Sequence, residues 1–262
     1  MNVNNRINQL FQQKNKNILS VYFTAGYPEL NDTVTIIREL EKNGVDLIEI
    51  GMPFSDPVAD GPVIQNSSYT ALKNGMSVKK LFGQLKDIRK TVKMPLIMMG
   101  YLNPVLQFGI ENFCQKCSEV GIDGLIIPDL PLNEYLERYK PIFEAHNIHN
   151  ILLITPQTSD ERIRQIDAES SGFIYMVSTS STTGMKKNVA DYHTEYFERV
   201  NSLQLKNPRL IGFGISTAET FTNACKYAGG AIIGSAFVKA LDNKLTMEQR
   251  ISEFVKMIVP SE

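Results

Sequence analysis

The stretch DLIEIGMPFSDPVADGP, residues 46–62, carries one acid where a strand should be apolar and two more in the loop that follows. Glu49 sits among Leu47, Ile48 and Ile50. Alternation along a strand puts Glu49 with Leu47 and Gly51 on one side and the two isoleucines on the other. If the isoleucines pack against helices, Glu49 points into the mouth of a barrel, beside a glycine that leaves room for a ligand. A carboxyl group buried there without a cation has a raised pKa, which suits a group that must both give and take protons near neutral pH. A glutamate held in a purely structural hydrogen-bond network is the competing reading. Asp60, in the loop leaving the same strand, can fold back over the mouth or cap a helix that starts near Gly61 and Pro62.

Eight short runs, each apolar throughout, are expected to position these acids, as parallel strands buried on both faces do. They are ILSVYFT (18–24), DLIEIG (46–51), PLIMMGY (95–101), GLIIP (124–128), NILLIT (150–155), GFIYMVS (172–178), RLIGFG (209–214) and AIIG (231–234). Segments with apolar residues at three- and four-residue spacing lie between them, among them LNDTVTIIRELEKNG, IENFCQKCSEVG and NEYLERYKPIFEAHN. Regular β-then-α alternation without a linker predicts an α/β fold, a single (β/α)8 TIM barrel over residues 1–262 with an extra N-terminal helix, about residues 3–14, covering its bottom. Chemistry in such barrels lies at the C-terminal ends of the strands.

The last two units read GFGIST (212–217) and GGAIIGSAFVKA (229–240), strands that end in glycine and run into helices opened by serine. Backbone N–H groups there can converge on an anion, and the loops after strands seven and eight are the usual phosphate site of this architecture. Gly184, after strand six, can close the cradle.

The bulk composition narrows the function. With 262 residues, 43% hydrophobic and a net charge of −1, the chain offers no basic surface for nucleic acid. No apolar run approaches the roughly 20 residues of a membrane span. The polar N-terminus and three cysteines favour a cytoplasmic location. None of the eight runs contains the lysine a Schiff-base aldolase needs. His146 and His149 flank strand five on the wrong side for a metal aldolase, and His193 falls in a helix or lid, so no metal is expected. Cys114 and Cys117 form a CxxC, but on a barrel helix two packed thiols are the simpler reading.

LIEIGMPFSDPVADGP closely resembles the signature of the tryptophan synthase alpha subunit family, and TAGYP (24–28), YLNPV (101–105), PDLP (128–131), TG (183–184), GFGIS (212–216) and GSA (234–236) match it in order. The resemblance implies retro-aldol cleavage of indole-3-glycerol phosphate to indole and glyceraldehyde 3-phosphate. It makes Glu49 the acid and base, Asp60 the partner of the indole N–H, and Tyr175 their neighbour. It puts Tyr22, Met99, Tyr101, Ile126 and Leu153 around the indole, and Thr183, Gly184, Phe213, Gly214, Gly234 and Ser235 around the glycerol phosphate. Asp56, Asn103, Pro104, Asp129 and Pro131 would meet a beta subunit in an alpha-beta-beta-alpha heterotetramer. Pyridoxal phosphate would be that partner's cofactor, and this chain would hold none. The loop after strand six departs from the family at Thr179, Ser181 and Thr182 but keeps Thr183 and Gly184, and it is expected to close as a lid. A free-standing lyase and a catalytically idle barrel that only activates a beta subunit are the other readings.

Overall fold

The computed structural model describes residues 5–178, 189–212 and 214–259. Its strands are β1 (Ile18–Thr24), β2 (Leu47–Gly51), β3 (Leu96–Met99), β4 (Gly124–Ile126), β5 (His149–Asn150), β6 (Leu152–Ile154), β7 (Ile174–Val177), β8 (Arg209–Gly212) and β9 (Gly230–Ile233). All pair in parallel, in the order β5-β4-β3-β2-β1-β9-β8-β7-β6. The predicted fifth strand is therefore two pieces. His149 and Asn150 pair with β4, Leu152–Ile154 pair with β7, and the chain passes from one to the other through Ile151, whose N–H donates to Leu125 O at 2.9 Å. The ends of the sheet are thus one continuous stave, and the (β/α)8 barrel is closed by the chain itself.

Side chains divide into two cores. Leu47, Ile97, Ile126, Phe173, Leu210 and Ile232 fill the barrel, and the helix Arg6–Gln13 plugs its bottom with Ile7. Ile48 and Ile50 belong to the second core, between barrel and helices, as alternation required. Gly121 ends the helix Ile110–Val120 at φ 82°, in the left-handed region that suits glycine. Along 133–147 one expected helix is broken by a π turn at Tyr135–Tyr139, just before Pro141, which has no N–H to donate. Cys114 and Cys117 are buried in the helix Ile110–Val120, and burial pushes the Cys114 thiol up to about 12, so they pack as inert apolar groups. No helix of the described residues is long and apolar enough to cross a membrane.

Candidate active site

Glu49 is fully buried on β2, opposite Tyr22 of β1 and Ile97 of β3. Ser20 Oγ donates to its Oε1 at 3.2 Å, while Oε2 has no partner among the described residues. A structural network would have satisfied both oxygens. Burial pushes the carboxyl up to about 8, and the Ser20 hydrogen bond pulls it back only in part. Near neutral pH Glu49 is a protonated acid with an unused oxygen.

Contrary to the expectation from the sequence, Gly51 does not leave room for a ligand. A Cβ there would fall 2.2 Å from Tyr22 Oη, so the space beside it belongs to that ring. The pattern repeats on β7 and β8, where a Cβ on Gly212 would fall 2.2 Å from Tyr175 Oη. Two glycines thus let two phenols lie across neighbouring strands at the mouth. Burial holds both phenols well above the usual range, and the acids Glu49 and Asp60 push them further.

Asp60 is not a helix cap. The N-cap of helix Pro62–Lys73 is Gly61, with no side-chain hydrogen bond. The half-buried Asp60 carboxylate instead accepts from Tyr101 Oη at 3.1 Å, and the same phenol oxygen accepts from Ala59 N at 2.9 Å. Burial raises the Asp60 carboxyl, and the Tyr101 hydrogen bond opposes the rise.

These groups meet in a cavity of about 450 Å³ at the C-terminal mouth of the barrel, lined by Tyr22, Glu49, Asp60, Met99, Tyr175, Gly214, Gly234 and Ser235. Its volume lies within the range of about 300–1,000 Å³ usual for small-molecule sites. Tyr101 lines a side cavity of about 20 Å³ that shares Tyr22, Asp60 and Met99. Ile126 is fully buried inside the barrel and Leu153 is half-buried against the same core, and neither lines either of these two cavities. Thr183, Gly184 and Phe213 lie outside the described residues, as do Thr179, Ser181 and Thr182.

The two glycine-rich turns differ. After β8 the cap is Thr217, not a serine, and Thr220 Oγ1 takes the N–H groups of both Ser216 and Thr217 at 3.0 Å. After β9, Gly234 precedes the helix Ser235–Ala240 and no side chain caps it. Cavity-lining residues that sequence reasoning missed include Ile64, Ile215 and Lys239. Lys239 stands four residues after Ser235, and that helical spacing was the available signal.

Asp56, Asn103, Asp129 and Pro131 are exposed and Pro104 is half-buried. Asp56 sits on the loop after β2, Asn103 and Pro104 lie in the first turn of the helix Leu102–Phe108 that follows β3, and Asp129 and Pro131 sit on the loop after β4. These strands are neighbours in the sheet, and Asp129 joins the last two segments by accepting from Leu102 N at 2.9 Å. Val58, on the first of these loops, is 85% exposed.

The model of the tryptophan synthase alpha chain family matches residues 8–260. A tryptophan synthase alpha chain from Flavobacterium johnsoniae is 62% identical over 251 residues, 96% of this chain and 98% of the relative. The crystal structure of the alpha chain from Legionella pneumophila superposes with a TM-score of 0.85 at 32% identity, covering 97% of this chain and 95% of that one. Tryptophan synthase from M. tuberculosis in its aminoacrylate-bound form gives a TM-score of 0.84 at 28% identity, with 97% and 98% covered. A buried acid at the mouth of a parallel barrel occurs in many enzymes, but likeness of sequence and fold over nearly the full length admits one assignment: this chain belongs to the tryptophan synthase alpha chain family.

Proposed function

We propose that Glu49 and Asp60 carry out the reaction of this family, cleavage of indole-3-glycerol phosphate to indole and glyceraldehyde 3-phosphate. The observation that carries the reading is the fully buried Glu49, neutral up to about pH 8 and lining the mouth cavity with one oxygen unpaired. As the acid, Glu49 delivers its proton to the indole ring carbon that bears the glycerol chain. The ring becomes a cationic indolenine, and Asp60 stabilises it by accepting from the ring N–H. Glu49, now a carboxylate, takes the hydroxyl proton from the adjacent chain carbon. The bond between ring and chain then breaks, its electron pair returns to the ring, and the hydroxyl carbon becomes the aldehyde. The proton is returned to Glu49, so the cycle balances without a cofactor in this chain.

Tyr22, Met99 and Tyr175 wall the indole, with Tyr101 acting through Asp60 and Ile126 and Leu153 supporting the walls from within the barrel. Gly214, Gly234 and Ser235, with Thr183, Gly184 and Phe213, receive the glycerol phosphate. Family members function with a beta subunit, and the face formed by Asp56, Asn103, Pro104, Asp129 and Pro131 is the proposed docking face in an alpha-beta-beta-alpha heterotetramer. The partner holds the pyridoxal phosphate that joins indole to serine. A single domain over residues 1–262 and a cytoplasmic location belong to the same reading.

Glu49→Gln tests it. The variant is expected to bind indole-3-glycerol phosphate with an affinity near the parent's, measured by titration calorimetry, and to release no indole. Turnover near the parent's in that variant would remove Glu49 from the chemistry.

A further inference from the structure

The ionisable groups described in the mouth cavity are unbalanced. Glu49 and Asp60 are acids, Tyr22 and Tyr175 are phenols held protonated by burial, and the one cation among the described lining residues is Lys239. Its ammonium makes no hydrogen bond or ion pair with any described residue. Lys239 follows Ser235 by four residues on the helix Ser235–Ala240, so both project from one face of the helix, beside Gly234 and across from Gly214 and Ser216. A phosphate monoester entering this cleft carries about −1.5 to −2 charges at pH 7. Backbone N–H groups and a serine hydroxyl supply hydrogen bonds but no counter-charge, while Asp60 repels the phosphate.

We propose that Lys239 binds the phosphate of the substrate as its counter-ion and holds that end of the molecule against the β8 and β9 loops. The proposal rests on the substrate assigned above. It separates the cavity into a carboxyl half that does chemistry on the ring and a cationic half that selects a phosphorylated chain. A lysine in the last turn of a helix also stabilises that helix by facing its dipole, and that role alone predicts no change in ligand discrimination.

Lys239→Gln and Lys239→Arg separate the two. Lys239 is exposed, so both variants are expected to fold. For Lys239→Gln the KM for indole-3-glycerol phosphate and the dissociation constant of inorganic phosphate are expected to rise at least tenfold, with kcat falling less than threefold. The affinity for indole, which lacks the phosphate, stays within twofold, and Lys239→Arg restores both raised constants to within about threefold of the parent. A Gln variant whose phosphate affinity matches the parent's, or one that loses indole and phosphate equally, overturns the proposal. Phosphate and indole titrations decide it even if the parent fails to cleave the substrate, a result that would strike the assigned reaction instead.

Discussion

At the scale of single residues, the decisive property is a carboxyl group with one weak hydrogen bond and no cation. The unfolded chain releases the Glu49 proton near 4.5, whereas the folded protein holds it to about 8. The folded state therefore binds the extra proton between those values, and stability is lost as the pH rises through them. The penalty is on the order of 5 kcal/mol once both states are ionised. Urea denaturation of Glu49→Gln and the parent should give similar stabilities at pH 4.5 and a more stable variant at pH 9; an equal difference at both would show that Glu49 is not desolvated. Asp60 is held in place by the hydrogen bond it accepts from Tyr101. Asp60→Asn should cost about a hundredfold or more in kcat with an unchanged circular dichroism spectrum. Tyr101→Phe, which removes the hydrogen bond to Asp60 together with the one from Ala59 N, should cost about tenfold. A Tyr101→Phe rate equal to the parent's would make that contact incidental. Glu49 was legible because an acid in so apolar a strand has few reasons to be there. Lys239 was not, because a lysine on a short helix after a strand reads as surface until the cavity is seen.

At the scale of elements, strand register and glycine placement set the mouth. The sequence pattern identified all eight staves, but NILLIT offers no glycine or proline to mark its division, which arises only when one half pairs with β4 and the other with β7. The role of Gly51 was equally hidden, because it depends on the Tyr22 ring arriving from the neighbouring strand. Gly212→Ala drives a Cβ into the Tyr175 phenol and should destabilise by about 1–3 kcal/mol through overpacking, with a drop in kcat. Gly83→Ala, in the helix Val78–Leu85 with nothing within 4 Å of the new carbon, is the control and should gain up to about 1 kcal/mol from helix propensity. Equal thermal midpoints for the two variants would contradict this account of the mouth.

At the scale of the whole molecule, the two ends of the barrel do different work. At the bottom, Asp123 is almost fully buried and holds Arg6 at 2.9 Å, Arg89 at 2.7 Å and Leu96 N at 2.9 Å, pinning the N-terminal helix under the strands. Asp123→Asn leaves Arg89 without its carboxylate partner, although its bonds to backbone carbonyls remain, and should cost about 3 kcal/mol or more in urea denaturation. Turnover at 25 °C should stay within about twofold, because the proposed chemistry lies at the opposite face. At the top, the cavity opens beside the segments after β2, β3 and β4, so the proposed reaction would lie next to the proposed partner face. The most direct test is indole release from indole-3-glycerol phosphate by the purified chain, alone and with a cognate beta subunit, with Glu49→Gln as the blank. Slow release that rises sharply with the partner, and none from the blank, is the predicted result. No indole under either condition, or equal release from parent and blank, would contradict it.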